Sequence, residues 1–336
     1  MKGIQHAATR RDVAREAGVS ETIVSYVLNN NRPVSADKRR RVLAAVKRLN
    51  YRPNVIARAL KGKGNNHLLL IVDNIVNEYF GRLMQALNAI AYDRGYLVSL
   101  MQTVNSEEFV SRILSRQVDG VVISSTALRE EYVQALIDSG LPTVLLMVRD
   151  YETLTGRFAR LYTGIEPGIM TAVRYLADQG RRHIVYVDRV SASGNFSGSG
   201  DPRFRGFCRQ MAALGFGADA SSVITGCPDF EALTAAVQDR LRSPSPIDAF
   251  VCRNDRIACT VLNAVQGMGR RVPGEIAVIG YDNSDLSRFS FPRLTSVMHD
   301  QAGIAQNILS LTESLIRGET PEDRHCSASL ILREST

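Results

Sequence analysis

Hydrophobic positions in the first fifty residues recur at helical spacing and predict three short helices. Each helix has one small or aliphatic face, formed in turn by Val13, Ala14 and Ala17, by Val24, Val27 and Leu28, and by Val42, Val46 and Leu49. Gly18 stands where the first helix needs a left-handed residue to end, and Ser20 can cap the second helix. Ser35 is placed to begin the third.

The second predicted helix is polar on the side away from its apolar face, where it carries Glu21, Thr22, Ser25, Tyr26 and Asn29. Two short helices joined at a glycine, with a polar outer face on the second, form the helix-turn-helix arrangement whose second helix enters a DNA major groove. An ordinary pair of antiparallel helices has the same spacing, so this pattern alone leaves both interpretations open.

From His67 onward, short apolar runs alternate with amphipathic helices, and glycines separate many of them. This alternation predicts a parallel sheet covered by helices, and its repetition predicts a second, similar lobe with a cleft between the two. The predicted fold is a small all-α helix-turn-helix head followed by an α/β body of two doubly wound lobes. The predicted domains are a head at 1–50, a hinge helix and linker at 51–66, a first lobe at 67–165 plus 296–325, and a second lobe at 166–295 plus 326–336.

Charge is distributed unevenly between the head and the body. Residues 1–63 contain fifteen Lys or Arg and four Asp or Glu, a formal charge of +11; because the whole chain carries +7, the remaining 273 residues sum to −4. A basic segment attached to a mildly acidic body is typical of a nucleic-acid-binding domain joined to another module. The charge distribution therefore favours the DNA-binding interpretation of the helix pair.

Composition and motifs bear on which classes of protein remain possible. No apolar run approaches the ~20 residues of a membrane span and the N-terminus lacks a signal-peptide pattern, so we expect a soluble, cytoplasmic protein. The five cysteines and five histidines show no metal-ligand spacing, and we expect reduced thiols, no metal site and no cofactor. The sequence contains no GxSxG, HExxH or P-loop motif.

Several segments of the head resemble one family in both residues and spacing. They are Asp12-Val-Ala-Arg-x-Ala-Gly-Val-Ser20, Val24-Ser25-x-Val-Leu-Asn29, Val34-Ser35, Val42-x-Ala-Ala and Asn50-Tyr-Arg-Pro-Asn54-x-x-Ala-Arg-x-Leu60. Together they cover nearly all of 9–62 and resemble the lactose/galactose-repressor (LacI/GalR) family of bacterial transcription regulators. The resemblance implies a DNA-binding head, a hinge helix that orders on DNA, and a periplasmic-binding-protein-like sensor body.

The resemblance also implies which residues contact DNA. The residues at 21, 22 and 26 would read base edges in the major groove, and Leu60 would wedge between base steps in the minor groove. Leu60 could instead anchor the hinge of one chain against the hinge of its partner. The full set of candidates is Ser20, Glu21, Thr22, Ser25, Tyr26, Asn29, Asn54, Ala57 and Leu60. Because Tyr26 stands where the family usually has a guanine-reading Arg, the family's operator sequence does not transfer to this chain.

Ligands of doubly wound folds bind beyond the carboxyl ends of the parallel strands, so residues that follow strands are candidates for a ligand site. The effector-site candidates are Asp73, Tyr79, Phe80, Arg203, Asn254 and Asp282. Residues 73–80 resemble the family's D-x-x-N-P-F-F loop, with Glu78 in place of Pro, and the two aromatic residues could equally belong to the core. Asp255 could be a ligand contact or a helix cap. Gly164-Ile165 stands where many relatives have a polar pair, which indicates an effector different from the common sugars.

These observations predict a sequence-specific DNA-binding regulator, most often a repressor in the family that it resembles. It would bind a palindromic operator as a homodimer, and a small polar effector in the cleft, a sugar or related metabolite, would change its DNA affinity. A sugar-metabolising enzyme with a DNA-binding head and a transport binding protein are the alternatives. The first lacks a recognisable catalytic motif, and the second does not explain the head.

Overall fold

The head is a small helical unit with its own core. The computed structural model describes residues 8–29, 32–51, 65–217 and 219–336, and the chain divides into two compact units after Asn65. The head contains helices α1 (Arg10–Ala17), α2 (Glu21–Asn29) and α3 (Ala36–Arg48). Its buried core residues are Val13, Ala14, Ala17, Val24, Val27, Val42, Ala45 and Tyr51. The three predicted apolar faces therefore meet in one cluster.

The junction between α1 and α2 follows the local signals in the sequence. Gly18 ends α1 with φ 61° and ψ 44°, a left-handed conformation that glycine adopts without steric cost. The hydroxyl of Ser20 accepts the N–H of Ile23 at 3.3 Å and so caps α2. Ser35 precedes α3 as predicted, but its hydroxyl makes no capping hydrogen bond.

The first lobe of the body is built on a six-stranded sheet, sheet I. Its strands are β1 (His67–Val72), β2 (Leu97–Gln102), β3 (Gly120–Ser124), β4 (Thr143–Leu146), β5 (Ala159–Tyr162) and β11 (Arg324–His325), and its helices are α4 (Glu78–Ala91), α5 (Glu107–Ser115), α6 (Glu130–Asp138) and α12 (Gln301–Ile316). The strand order is β11-β5-β4-β3-β1-β2, and all pairs are parallel. Helices α4 and α12 cover one face and α5 and α6 the other, which is why the central strands read as continuous apolar runs.

The second lobe repeats this plan on sheet II. Its strands are β6 (Ile184–Val187), β7 (Val223–Ile224), β8 (Ala249–Cys252), β9 (Ala277–Tyr281), β10 (Thr295–His299) and β12 (Ala328–Ile331), and its helices are α7 (Ile165–Asp178), α8 (Pro202–Ala213), α9 (Phe230–Arg242), α10 (Asp255–Gly267) and α11 (Asp285–Phe289), with a 3₁₀ turn at Ala220–Ser222. The order is β12-β10-β9-β8-β6-β7, parallel except for the antiparallel β10–β12 pair.

The chain crosses between the lobes after β5, after β10 and after β11. Strand β10 pairs with β9, so the second crossing follows His299, whereas the lobe boundary predicted from the sequence lies at 296. The hydrophobic pattern also does not predict β5. None of the helices in the described ranges has the length and apolar character that a membrane span requires.

Candidate functional site

A cleft of about 170 Å³ lies beyond the carboxyl ends of both sheets, and all six predicted effector residues line it. Asp73, Tyr79 and Phe80 come from the first lobe, whereas Arg203, Asn254 and Asp282 come from the second. Several other residues that line the cleft are not among the candidates drawn from the sequence, and they include Thr126, Val148, Arg189, Arg253 and His299. The rule that ligands bind at strand ends therefore identifies residues of both lobes that line this cleft, but not all of the residues that do so.

Arg203 and Asp282 face each other in the cleft, and no hydrogen bond joins them. Nη2 of Arg203 is 3.8 Å from Oδ1 of Asp282, and the two side chains are 12% and 9% exposed. The Arg203 guanidinium lies over the ring of Tyr281, 4.8 Å from its centroid. Its buried Nε has no hydrogen-bond partner among the described residues. Buried donors are normally satisfied, so this guanidinium is suited to an acceptor on a ligand.

Asp201 holds three arginines that line the cleft, Arg189, Arg203 and Arg253. Its carboxylate accepts hydrogen bonds from Nη2 of Arg189 at 2.6 Å, from Nη1 of Arg253 at 2.7 Å and, as the N-cap of α8, from the backbone N–H of Arg203 at 2.9 Å. Burial acts to raise the pKa of Asp201, but the charges of Arg253, Arg203 and Arg189 outweigh it and hold the pKa well below its ordinary value. The carboxylate is therefore ionised and orders the polar side of the cleft.

His299 lines the cleft as a neutral imidazole. It packs edge-on against Tyr79 and Tyr281, with ring centroids 5.2 and 5.1 Å away, and its Nδ1 is 2.8 Å from the carbonyl oxygen of Thr163. Burial, assisted by the charge of Arg203, lowers the pKa of His299 to about 4. Nδ1 accordingly carries the proton that it donates to Thr163, and Nε2 is left as an acceptor.

We expect His299 to make the protein less stable in acid. Its pKa is about 4 in the folded chain and 6.5 ordinarily, so its contribution is complete above pH 6.5 and is lost as the pH falls toward 4. The whole difference corresponds to about 3 kcal/mol. Urea unfolding should show that the free energy of unfolding decreases less between pH 7 and pH 5 for His299→Asn than for the wild type. The asparagine amide can still donate to Thr163. Equal losses in the two proteins contradict this account.

Asp73 lines the cleft, but its carboxylate already has partners within the first lobe. Oδ2 accepts the N–H and the hydroxyl of Thr126 at 2.7 and 3.0 Å, and Oδ1 accepts the hydroxyl of Ser125. Arg189 of the second lobe donates to the same Thr126 hydroxyl at 2.7 Å. Asp73 therefore shapes the loop after β3 and, through Thr126, contributes to a contact between the lobes.

The remaining candidates divide into lining residues and internal ones. Tyr79 and Phe80 are buried and also line the cleft, so the core and ligand-wall interpretations both apply to them. Asn254 caps α10 through its Oδ1, which accepts the N–H of Ile257 at 2.9 Å. Asp255 is buried at the start of α10 and does not line this cleft. Ile165, in the position where many relatives have a polar residue, presents an apolar surface to it.

The predicted reading face of α2 lies on the surface of the head. Ser20, Glu21 and Thr22 are exposed, and Ser25 and Tyr26 are partly buried. The guanidinium of Arg32 lies over the ring of Tyr26, 5.4 Å from its centroid, a contact that helical spacing does not reveal. The predicted hinge contacts, Asn54, Ala57 and Leu60, and the side chain of Asn29 lie outside the described residues.

A helix-turn-helix head joined to a two-lobed α/β body is the architecture of a DNA-binding transcription regulator with a periplasmic-binding-protein-like domain. Residues 9–54 match the model of bacterial regulatory proteins of the lacI family, and residues 173–336 match that of the periplasmic binding protein-like domain. The chain belongs to the LacI family of bacterial regulatory proteins.

Similarity to named proteins extends over nearly the whole chain. Catabolite control protein A of Priestia megaterium is 30% identical over 306 residues, which cover 89% of this chain and 90% of that protein. The HTH-type transcriptional repressor PurR of Vibrio cholerae is 28% identical over 324 residues, 94% of each chain. The crystal structure of the lac repressor dimer bound to operator and the anti-inducer ONPF is 24% identical and matches 98% of this chain and 99% of that one with a TM-score of 0.81, which establishes the shared fold.

Proposed function

We propose that this protein is a repressor that binds a palindromic operator as a homodimer and whose DNA affinity is changed by a small polar effector in the cleft. The observation that carries the effector proposal is the Arg203–Asp282 pair, because the buried Nε of Arg203 has no hydrogen-bond partner among the described residues and Nη2 of Arg203 stays 3.8 Å from Oδ1 of Asp282. Membership of the LacI family and the relatives named as repressors support the DNA-binding part.

The chemistry of the cleft supports a hydroxylated effector, a sugar or related metabolite. A hydroxyl group can donate to the carboxylate of Asp282 and accept from the guanidinium of Arg203 at the same time. Nε2 of His299 can accept a further hydroxyl proton. Ile165 and the aromatic pair at 79–80 supply an apolar surface for one face of a ring. The carboxylate of Asp73 is occupied by Ser125 and Thr126, so it is poorly suited to pair with Asp282 as in a glycosidase, and we propose binding rather than catalysis.

An exposed apolar patch on the second lobe supports the homodimer. Phe289 and Phe291 are 81% and 86% exposed, and Leu286 lies one helical turn before Phe289 on α11. Clustered exposed aromatic side chains of this kind mark protein interfaces more often than free surface. A second copy of this chain is the occupant that membership of a family with a dimeric lac repressor supports.

Phe289→Asp is expected to convert the dimer to a monomer, because a carboxylate in an apolar interface loses its hydration without gaining a charged or hydrogen-bonding partner. Sedimentation velocity at micromolar concentration measures the change directly. Leu114→Asp, at an exposed apolar position on α5 of the first lobe, is the matched control and should leave the mass unchanged. A wild-type protein that sediments as a monomer contradicts the proposed assembly.

Sequence reading by α2 is testable with a single head variant. Tyr26→Ala should lose about 1–3 kcal/mol of discrimination at the base pair that Tyr26 contacts in a palindrome selected from random DNA. Fluorescence anisotropy with single-base variants of that palindrome measures the preference at each position. Glu16→Ala, an exposed change on α1, should preserve the preference profile. An unaltered profile for Tyr26→Ala rules out base reading by this residue.

A further inference from the structure

The turn at residues 282–285 connects the cleft to the boundary between the lobes. Asp282 lines the cleft, and two consecutive residues of the turn have left-handed backbone, with φ 91° at Asp282 and 47° at Asn283. Asparagine adopts the left-handed region readily, but a φ of 91° at an aspartate is uncommon and indicates that surrounding contacts hold Asp282. The position of the Asp282 carboxylate therefore depends on the groups that hold the turn.

Within the second lobe, Asp255 is the main anchor of this turn. Its Oδ2 accepts the N–H and the hydroxyl of Ser284 at 2.5 and 2.8 Å, and its Oδ1 accepts the hydroxyl of Ser296 at 2.6 Å. Ser296 in turn accepts the N–H of Asn283 at 3.0 Å, and Nη2 of Arg333 donates to Oδ1 of Asn283 at 2.5 Å. One side of the turn is thus fixed to sheet II.

The first turn of α4 reaches the same segment from the first lobe. Both carboxylate oxygens of Glu78 lie 3.0 Å from the backbone nitrogen of Asp285 and accept its N–H. Arg82 donates to the carbonyl oxygen of Asn283 and, at 3.2 Å, to the carboxylate of Asp285. Glu78 and Arg82 also pair with each other. The turn is therefore held by the first lobe at Asn283 and Asp285 and by the second lobe at Asn283 and Ser284.

We propose that Glu78 and Arg82 form an inter-lobe clamp that positions Asp282 in the cleft. The clamped amide is three residues from Asp282, and the hydrogen bonds of Asn283 and Ser284 to the second lobe leave the turn between them little freedom to absorb a displacement. A change in the angle between the lobes therefore moves Asp282, and a molecule held by Asp282 resists that change. This clamp rests on the proposed effector site.

Residue-level hydrogen–deuterium exchange of the full-length protein, without ligand or DNA, tests the clamp. In Glu78→Ala and in Arg82→Ala the amide of Asp285 should exchange about tenfold faster than in the wild type. The decisive readout is the amide of Asp282 itself, which donates to the carbonyl of Val297 at 2.9 Å and should exchange at least about fivefold faster in both variants.

Arg94→Ala is the matched control, because it removes an ion pair to Glu313 at 2.8 Å that lies wholly within the first lobe. It should leave exchange at residues 282–285 unchanged. Faster exchange at Asp285 with wild-type exchange at Asp282 would show a surface contact without a positioning role and overturn the proposal, as would unchanged exchange at both. If Glu78→Ala does not fold, Arg82→Ala provides the test, and Arg82→Lys is the milder change at the same contacts. Because no effector or operator enters the experiment, its failure is separate from failure of the proposed function.

Discussion

Asp201→Asn is expected to lower the free energy of unfolding of the body by about 3–5 kcal/mol, the range for removing one partner of a buried ion pair. The carboxylate of Asp201 faces the guanidinium groups of Arg189 and Arg253, and it is ionised because its pKa lies well below the ordinary value. Asparagine keeps an oxygen that can cap α8 but leaves the two buried cations without their shared counter-charge. Because the pKa of Asp201 is depressed on folding, this stability is present above its ordinary pKa of 3.8 and is lost only as the pH falls through the lowered value.

Urea unfolding at pH 7, followed by circular dichroism because the chain has no tryptophan, measures this loss. Asp229→Asn is the matched control, since Asp229 caps α9 by accepting the N–H of Ala232 at 2.7 Å and is exposed. The same chemical change there should cost less than about 1 kcal/mol. Similar losses for the two variants would mean that the charge of Asp201 contributes nothing beyond its role as a helix cap.

Arg203→Met is expected to weaken effector binding by about 10- to 100-fold. Methionine keeps an apolar stem against Tyr281 but removes donors whose hydrogen bonds to a ligand each contribute roughly 1.5–3 kcal/mol when one partner is charged. Thermal-shift screening of sugars, nucleosides and sugar phosphates identifies a compound that stabilises the wild type, and calorimetric titration then compares its affinity for the two proteins.

Arg209→Met provides the control for this measurement. Arg209 is on the same helix, is mostly exposed and pairs with Glu166 at 2.5 Å, and it does not line the cleft. Its replacement should leave the affinity within about twofold of the wild-type value. Equal weakening by both substitutions would show that α8 as a whole, rather than the Arg203 guanidinium, determines binding.

The head was the part of the fold most readable from the sequence, because its signals are local. Gly18 and Ser20 act within one or two turns of their own positions, and the apolar faces repeat at helical spacing. Strand β5 has no clear signal in the sequence, because only four residues form it and Arg160 interrupts its apolar pattern. The guanidinium of Arg160 lies over the ring of Phe158 at 4.5 Å, a tertiary contact that spacing does not encode.

The candidate site was predictable only as far as strand ends could be located. Asp73, Arg203 and Asp282 follow strands or begin a helix beside them, so topology brings them to one edge. Arg189 and Arg253 also follow strands, yet their orientation depends on Asp201, which closes the network from α8. His299 is the last residue of β10 and directly precedes a crossing between the lobes. The sequence places that crossing at 296, so it does not mark His299 as a residue at a strand end. Which polar groups stay unsatisfied is a property of the packed structure and has no counterpart in sequence spacing.

The most direct test of an effector-responsive DNA reader is fluorescence anisotropy on a palindrome selected by the wild-type protein, at fixed salt, with and without the stabilising compound. We predict binding at least about 10³-fold tighter than to scrambled DNA of equal length. The compound should change this affinity by at least about fivefold in the wild type but not, at the same concentration, in Arg203→Met. Equal, salt-sensitive binding to every sequence, or an equal effect of the compound on both proteins, would contradict the account.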